Sequence, residues 1–170
     1  MDAKQRSGIP CRVRPYANRD FDHLVNRWHE TNLISYRYVE AHQKHTIDDA
    51  RRFFRDEVVS ICEIWIAECS GQLQGVLALE PPWIRQLAVF PEFQRQGVGT
   101  ALLCKARESS PVEPRLFTFQ RNAAARAFYE RHGFAAVAFG ISPAPELAPD
   151  IEYRWIARRE RAAGHSGKEA

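Results

Sequence analysis

Leu87-Ala-Val-Phe-Pro-Glu-Phe-Gln-Arg-Gln-Gly-Val-Gly-Thr-Ala-Leu-Leu103 decides how this chain is read. An apolar run ends at Pro91, a short polar turn follows, and Gln94-Arg95-Gln96-Gly97-Val98-Gly99 opens an amphipathic helix. A strand that stops where a glycine-bearing turn enters a helix leaves backbone N–H groups unpaired at the positive end of the helix dipole. Such a terminus suits a phosphate. Gly97 and Gly99 carry no side chain, so a ligand can approach the backbone, and Arg95 adds a full positive charge. The stretch lacks the Gly-Lys-Ser/Thr ending of a P-loop and the complete Gly-x-Gly-x-x-Gly that follows a first strand in dinucleotide sites. Taken alone it is equally a tight strand-to-helix turn with no ligand.

Upstream, Cys11–Arg14 reads as a first strand ended by Pro15. Asn18 or Asp20 then caps a helix carrying Phe21, Leu24, Val25 and Trp28 at helical spacing. A second helix starts near Thr46, with Asp48 and Asp49 in its first turn and Phe53, Phe54 and Val58 as apolar positions. Between the two lies the aromatic, histidine-bearing stretch Ser35–His42. Glu63–Cys69 and Leu73–Glu80 are strands joined by the hairpin signal Ser70-Gly71-Gln72, and Pro81-Pro82 turns the chain into Trp83–Phe90. Downstream, the helix after Gly97 runs to about Arg107 and Ser109–Pro114 is a loop. A strand at Arg115–Phe119 precedes a helix from Asn122 to His132, with Gly133 at its C-terminal cap. Phe134–Phe139 and Ile151–Ile156 are closing strands across the Pro-rich loop Ser142–Pro149.

The 170 residues suit one domain, and 45% apolar with 26% charged residues is ordinary for a globular protein. A formal charge of +3, with Lys and Arg interleaved among acids, argues against nucleic acid as the main partner. No apolar run reaches the length of a membrane span, and Met1–Pro10 does not read as a signal peptide. Cys11, Cys62, Cys69 and Cys104 are widely spaced with no Cys-x-x-Cys pair, which reads as free buried thiols in a reducing, cytoplasmic compartment. The expected organisation is a disordered segment over 1–10, one α/β domain over 11–157 and a disordered tail over 158–170.

The second informative stretch is Asn122-Ala-Ala-Ala-Arg-Ala-Phe-Tyr-Glu-Arg-His-Gly-Phe134. On a helix, Asn122, Ala125, Arg126 and Tyr129 fall on one face, which is therefore polar, while Phe128 points toward the core. Alone, this too has a plain reading, with Asn122 as an N-cap and Tyr129 as a half-buried aromatic. Together, Gln94-x-x-Gly97-x-Gly99 and Asn122-x-x-Ala125-x-x-x-Tyr129-x-x-x-Gly133-Phe134 closely resemble the GNAT superfamily of acyl-CoA-dependent N-acetyltransferases. The resemblance covers roughly residues 12–156. It implies a mixed, mostly antiparallel sheet of about seven strands flanked by helices in a single α/β domain.

The resemblance also implies acetyl-CoA as co-substrate. Its pyrophosphate would sit on the N–H groups of Arg95, Gln96, Gly97, Val98, Gly99 and Thr100, after Gln94. Its pantetheine arm would run beside Leu87, Ala88 and Val89 like a neighbouring strand, with Asn122 and Arg126 on the other side. Tyr129 would be the general acid for the departing thiolate, and the Val89 N–H the donor to the developing oxyanion. An amine attacks the thioester directly in a ternary complex, so no enzyme nucleophile is needed. The general base is open. The family's strand carboxylate or histidine would lie on the face of Leu87 and Val89, where alternation puts Trp83 and Arg85. Glu80 is the first alternative, followed by Glu30, His29 and Glu152.

Arg85 reads as a substrate reader for an anionic group on an amino-acid-like acceptor, with Tyr36, Tyr38 and Trp28 as the acceptor wall. His42-x-x-His45 is too sparse for a metal, and His29-Glu30 lacks the second zincin histidine because Leu33 stands there. No metal is expected. The expected function is acetyl transfer to a primary amine of a small molecule. A protein N-terminus or lysine is the alternative acceptor, and a non-catalytic acyl-CoA-binding module the alternative class. A homodimer is allowed.

Overall fold

The structure, a computed structural model, describes residues 12–156, so the two terminal segments expected to be disordered lie outside the described residues. β1 (Arg12–Pro15), β2 (Glu63–Cys69), β3 (Gln72–Glu80) and β4 (Trp83–Val89) pair antiparallel in chain order. β5 (Arg115–Phe119) joins β4 in parallel, and β7 (Pro149–Trp155) and β6 (Phe134–Ile141) complete a seven-stranded, mostly antiparallel sheet. The helices are α1 (Phe21–Ser35), α2 (Glu40–Lys44), α3 (Ile47–Phe53), α4 (Val98–Ser109) and α5 (Ala123–Arg131). This is the α/β arrangement expected from the two motifs. α2 falls in the aromatic stretch to which the sequence assigns no element, and α3 continues as a π-helical turn through Val59.

Local chemistry accounts for the punctuation. Ser70 (φ 51) and Gly71 (φ 76) both take left-handed conformations in the β2–β3 hairpin, the twist that matches two right-handed strands. Thr46 caps α3 reciprocally: its hydroxyl accepts from the Asp49 N–H at 3.2 Å, and the Asp49 carboxylate accepts from the Thr46 N–H at 3.0 Å. Both faces of the sheet are covered. Leu24, Val25, Trp28 and Phe54 pack on Ile66, Val76, Ala78 and Phe90, while Leu102, Leu103 and Ala106 pack on Leu77, Leu79, Leu116 and Tyr153. Burial on both sides explains why Val76–Leu79 is an unbroken apolar run rather than an alternating one. Gly75 on β3 has no room for a side chain, because a Cβ there would stand 2.6 Å from the Ala88 carbonyl oxygen.

Two irregularities of β4 position the site. First, among the described residues β4 and β5 share a single rung, Trp83 opposite Arg115, with the Arg115 N–H on the Pro82 carbonyl at 2.8 Å. Beyond it the strands part into a wedge. The Phe90 N–H bonds the Gln74 carbonyl on the β3 side at 2.9 Å. Antiparallel alternation therefore turns the N–H groups of Leu87 and Val89 away from β3 and into the wedge.

Second, β4 carries a bulge. Gln86 pairs with Ala78 and Ile84 with Leu79, leaving Arg85 as the extra residue. The bulge resets the alternation. Ile84 joins Leu87 and Val89 against α4 and α5, while Gln86 sits against Trp28 of α1. Trp83 and Arg85 therefore lie on the α1 side, not on the Leu87/Val89 face as unbroken alternation predicts. Trp83 stacks there on Phe117, with ring centroids 5.3 Å apart and planes 9° from parallel.

Candidate active site

After β4 the chain makes one tight turn over Pro91–Phe93, and Arg95 (φ 59) and Gly97 (φ 89) take left-handed conformations before α4 begins. Gly97 is the N-cap with open space where a Cβ would be, so it is the backbone conformation that calls for glycine. The first bond into α4 runs from the Ala101 N–H to the Gly97 carbonyl at 3.0 Å. The N–H groups of Val98, Gly99 and Thr100 precede it and have no intrahelical acceptor. Gln94 Nε2 donates to the Val89 carbonyl at 3.1 Å and Gln96 Nε2 to the Glu92 carbonyl at 2.8 Å, so both side chains pin the loop to the strand. At Gly99 a Cβ would meet the Phe128 ring at 3.2 Å, so the missing side chain also makes room for Phe128. Phe128 packs against the core, as expected, and also lines the cavity.

α5 is tied to this terminus through His132, to which the sequence assigns no role beyond ending the helix. Its Nδ1 lies 2.8 Å from the Phe128 carbonyl and its Nε2 3.0 Å from the Thr100 hydroxyl. A carbonyl only accepts, so Nδ1 carries a proton and donates to it, while Nε2 faces the Thr100 hydroxyl. Asn122 caps α5 by accepting the Ala125 N–H on Oδ1 at 3.2 Å. Its Nδ2 is then left as a donor toward the cavity it lines.

The wedge holds a cavity of about 840 Å³. Leu87, Ala88, Val89, Gln94, Arg95, Gly97, Gly99, Thr100 and Asn122 all line it. Three predicted cofactor residues lie outside the lining. Val98 turns its side chain into the core, Gln96 is spent on Glu92, and Arg126 donates to the Gln120 carbonyl at 3.2 Å and to the Tyr153 hydroxyl. Arg131 and His132 line the cavity from the same helix end. Tyr129 lies deep in the wall, 7% exposed, and no hydrogen-bond partner for its hydroxyl is found among the described residues. Burial, helped by nearby Tyr36, pushes its pKa well above the ordinary tyrosine value. It stays a protonated donor at working pH.

On the α1 side, Asn32, Ile34, Tyr36, Arg85, Gln86 and Phe117 line the cavity. Arg85 does not stand alone: its Nε and Nη2 approach Glu80 Oε2 at 2.7 and 2.6 Å. The predicted reader and the predicted base are thus paired with each other, and Glu80 is outside the lining. Glu30 pairs with Arg27, Glu152 with Arg115 at 3.3 Å, and His29 has its pKa lowered by burial; none of them lines the cavity. Among the described residues no Asp or Glu lines the cavity. Trp28 is core, stacked on Phe53 at 5.7 Å, and Tyr38 packs edge-on against Phe119 under Arg121, so of the three predicted wall aromatics only Tyr36 reaches the cavity. The Tyr36 hydroxyl is pushed up to about 12 by burial. Among the described residues no three His, Cys, Asp or Glu are grouped to hold a metal, and no helix is long and apolar enough to cross a membrane. Cys62 is half-buried and Cys104 exposed, not buried as expected.

The geometry has known counterparts. The solution structure of apo-form YjaB from Escherichia coli superposes over 87% of this chain and 99% of its own, with a TM-score of 0.73 at 19% identity. The profile described as an acetyltransferase (GNAT) domain matches residues 60–136, which hold both β4 with its turn and the Asn122–Gly133 helix. Over that stretch the chain is similar to a GNAT acetyltransferase domain. A second similar fold, spermidine N-acetyltransferase from Vibrio cholerae in complex with CoA and spermine, covers 85% of this chain and 94% of its own at TM-score 0.65 and 17% identity. In sequence, the domain is 33% identical over 81 residues to the uncharacterized N-acetyltransferase YafP of Escherichia coli. That match takes in 48% of this chain and 51% of YafP, so it spans about half the length of that relative.

Proposed function

We propose that this GNAT domain transfers an acetyl group from acetyl-CoA to the primary amine of a small, amino-acid-like molecule, by direct attack in a ternary complex. The observation that carries the reading is the continuity of the cavity. It runs from unpaired N–H groups at the α4 terminus, along unpaired β4 backbone, to a buried tyrosine hydroxyl. The CoA held by the Vibrio cholerae neighbour supports the donor.

Each part has a task. The N–H groups of Val98, Gly99 and Thr100, with Arg95 and Arg131, suit a pyrophosphate. Leu87 and Val89 offer backbone groups to a pantetheine arm, and Asn122 Nδ2 donates from the opposite lip. Acetyl-CoA supplies an activated thioester. The Val89 N–H then stabilises the thioester oxygen as negative charge develops on it. Tyr129 donates to the sulfur. No carboxylate lines the cavity among the described residues and His132 is held by Phe128 and Thr100, so we assign the amine's proton to water. That favours acceptors of low pKa: near neutral pH a peptide-like or amide-flanked α-amine, pKa about 7.7–8.0, has a neutral fraction roughly two-hundred-fold or more larger than an alkyl amine of pKa 10.4.

Two measurements test this. Release of free CoA thiol across a panel of amines should show kcat/KM rising with pH and levelling at each amine's own pKa. An inflection fixed near neutrality for every amine would place a base in the enzyme, and CoA binding without thiol release would leave a non-catalytic module. Arg85→Ala should raise KM for an anionic acceptor roughly three- to tenfold with kcat within about twofold, since the guanidinium is exposed and already paired with Glu80. An unchanged KM would remove Arg85 from the acceptor site.

A further inference from the structure

We propose that Gln86, locked by Trp28, is a fixed hydrogen-bond donor that reads the carboxylate of an α-amino acid with an apolar side chain; this rests on the acetyl-transfer reading above. The Trp28 indole N–H lies 3.1 Å from Gln86 Oε1. An indole nitrogen can only donate, so the amide oxygen must be the atom facing it, whatever orientation a free glutamine would choose. Trp28 is 7% exposed and does not line the cavity, whereas Gln86 does. The polar atom left for the cavity is therefore Nε2, with two N–H groups and no capacity to accept. Turning the amide over would strand a buried indole N–H without an acceptor.

Three surroundings set the ligand class. The bulge brings Arg85 and Gln86, consecutive residues, to the same side of the sheet, so a guanidinium and an amide donor stand together at the cavity. Arg85, paired with Glu80, lines this end, and among the described residues no acidic side chain lines the cavity, so it suits a carboxylate better than a second ammonium. Ile34, Tyr36 and the 54%-exposed Phe117 border the same end and give an apolar side chain a wall.

The test is Gln86→Glu, which keeps an oxygen for Trp28 and the same shape but turns the cavity-facing donor into a charged acceptor. The probes are phenylalanine, phenylalanine amide, 2-phenylethylamine and spermidine. Thiol release gives kcat and KM, and titration calorimetry on the CoA-saturated protein gives binding without turnover. The wild type should favour phenylalanine over 2-phenylethylamine by at least about tenfold, in KM and Kd rather than kcat, and Gln86→Glu should reverse the order. Trp28→Phe, checked for an unchanged melting transition, keeps the aromatic packing, frees the amide and should shrink the preference to within about threefold. The same phenylalanine preference in wild type and Gln86→Glu would overturn the proposal. Equal use of phenylalanine and its amide, a preference for spermidine, or no phenylalanine binding would overturn it as well. A uniform fall in kcat for every amine would assign Gln86 to the thioester oxygen instead and equally overturn it. If calorimetry keeps the preference and its reversal while no amine releases thiol, acetyl transfer fails and the Gln86 assignment stands.

Discussion

Replacing Tyr129 by phenylalanine is expected to lower kcat by about a hundred-fold or more while leaving CoA affinity within about twofold. The ring is held among Phe128, Phe134 and Tyr153, so phenylalanine fills the same space. The hydroxyl has no protein partner among the described residues, so its removal orphans nothing and should not unfold the domain. What is lost is a donor where negative charge develops on a leaving sulfur. Because burial raises the Tyr129 pKa, this donor stays protonated, and the wild-type pH profile should show no loss of activity below the ordinary tyrosine pKa of about 10. Thiol-release kinetics paired with calorimetric CoA binding separates the two effects. Full kcat in Tyr129→Phe would remove the residue from the chemistry.

Gly75→Val is expected to destabilise the fold by about 3 kcal/mol and to weaken CoA binding with it. The obstacle to a side chain is the Ala88 carbonyl at 2.6 Å, with a Leu102 methyl at 3.2 Å behind it. A flexible side chain could give way, but a backbone carbonyl moves only if β4 moves. Shifting β4 displaces Leu87 and Val89, whose N–H groups form one lip of the wedge. For a chain of this size the melting temperature should fall by roughly 6–12 °C in thermal unfolding. A Gly75→Val protein that melts like the wild type would mean that the strands part without cost.

The sheet order could be anticipated because its signals are local: a Ser-Gly turn between apolar runs, a glycine terminus after β4, Asn122 and Gly133 bracketing a helix. The site was legible where it is made of backbone. Gly97, Thr100 and the wedge-facing groups of Leu87 and Val89 stand where the motifs put them, because peptide groups follow the path of the chain. Side chains that depend on distant partners were not legible. Arg126 goes to Tyr153 and Arg131 to the cavity, although both are arginines of one short helix. The Arg85 bulge leaves no trace in the pattern Trp-Ile-Arg-Gln-Leu, so alternation counted straight through it assigns the wrong face. Gln86 gains its meaning only from Trp28, far upstream in the chain, and no spacing rule links the two.

The lone rung between Trp83 and Arg115 has a mechanical consequence. β1–β4 and β5–β7–β6 are two half-sheets that meet at one backbone bridge, and past that point their lips are held apart by packing rather than by a shared ladder. A molecule stitched to both lips adds cross-links in the one seam the polypeptide leaves open. The domain is then an unfinished sheet whose cohesion rises with the concentration of whatever completes it. Binding and folding would draw on the same missing bonds.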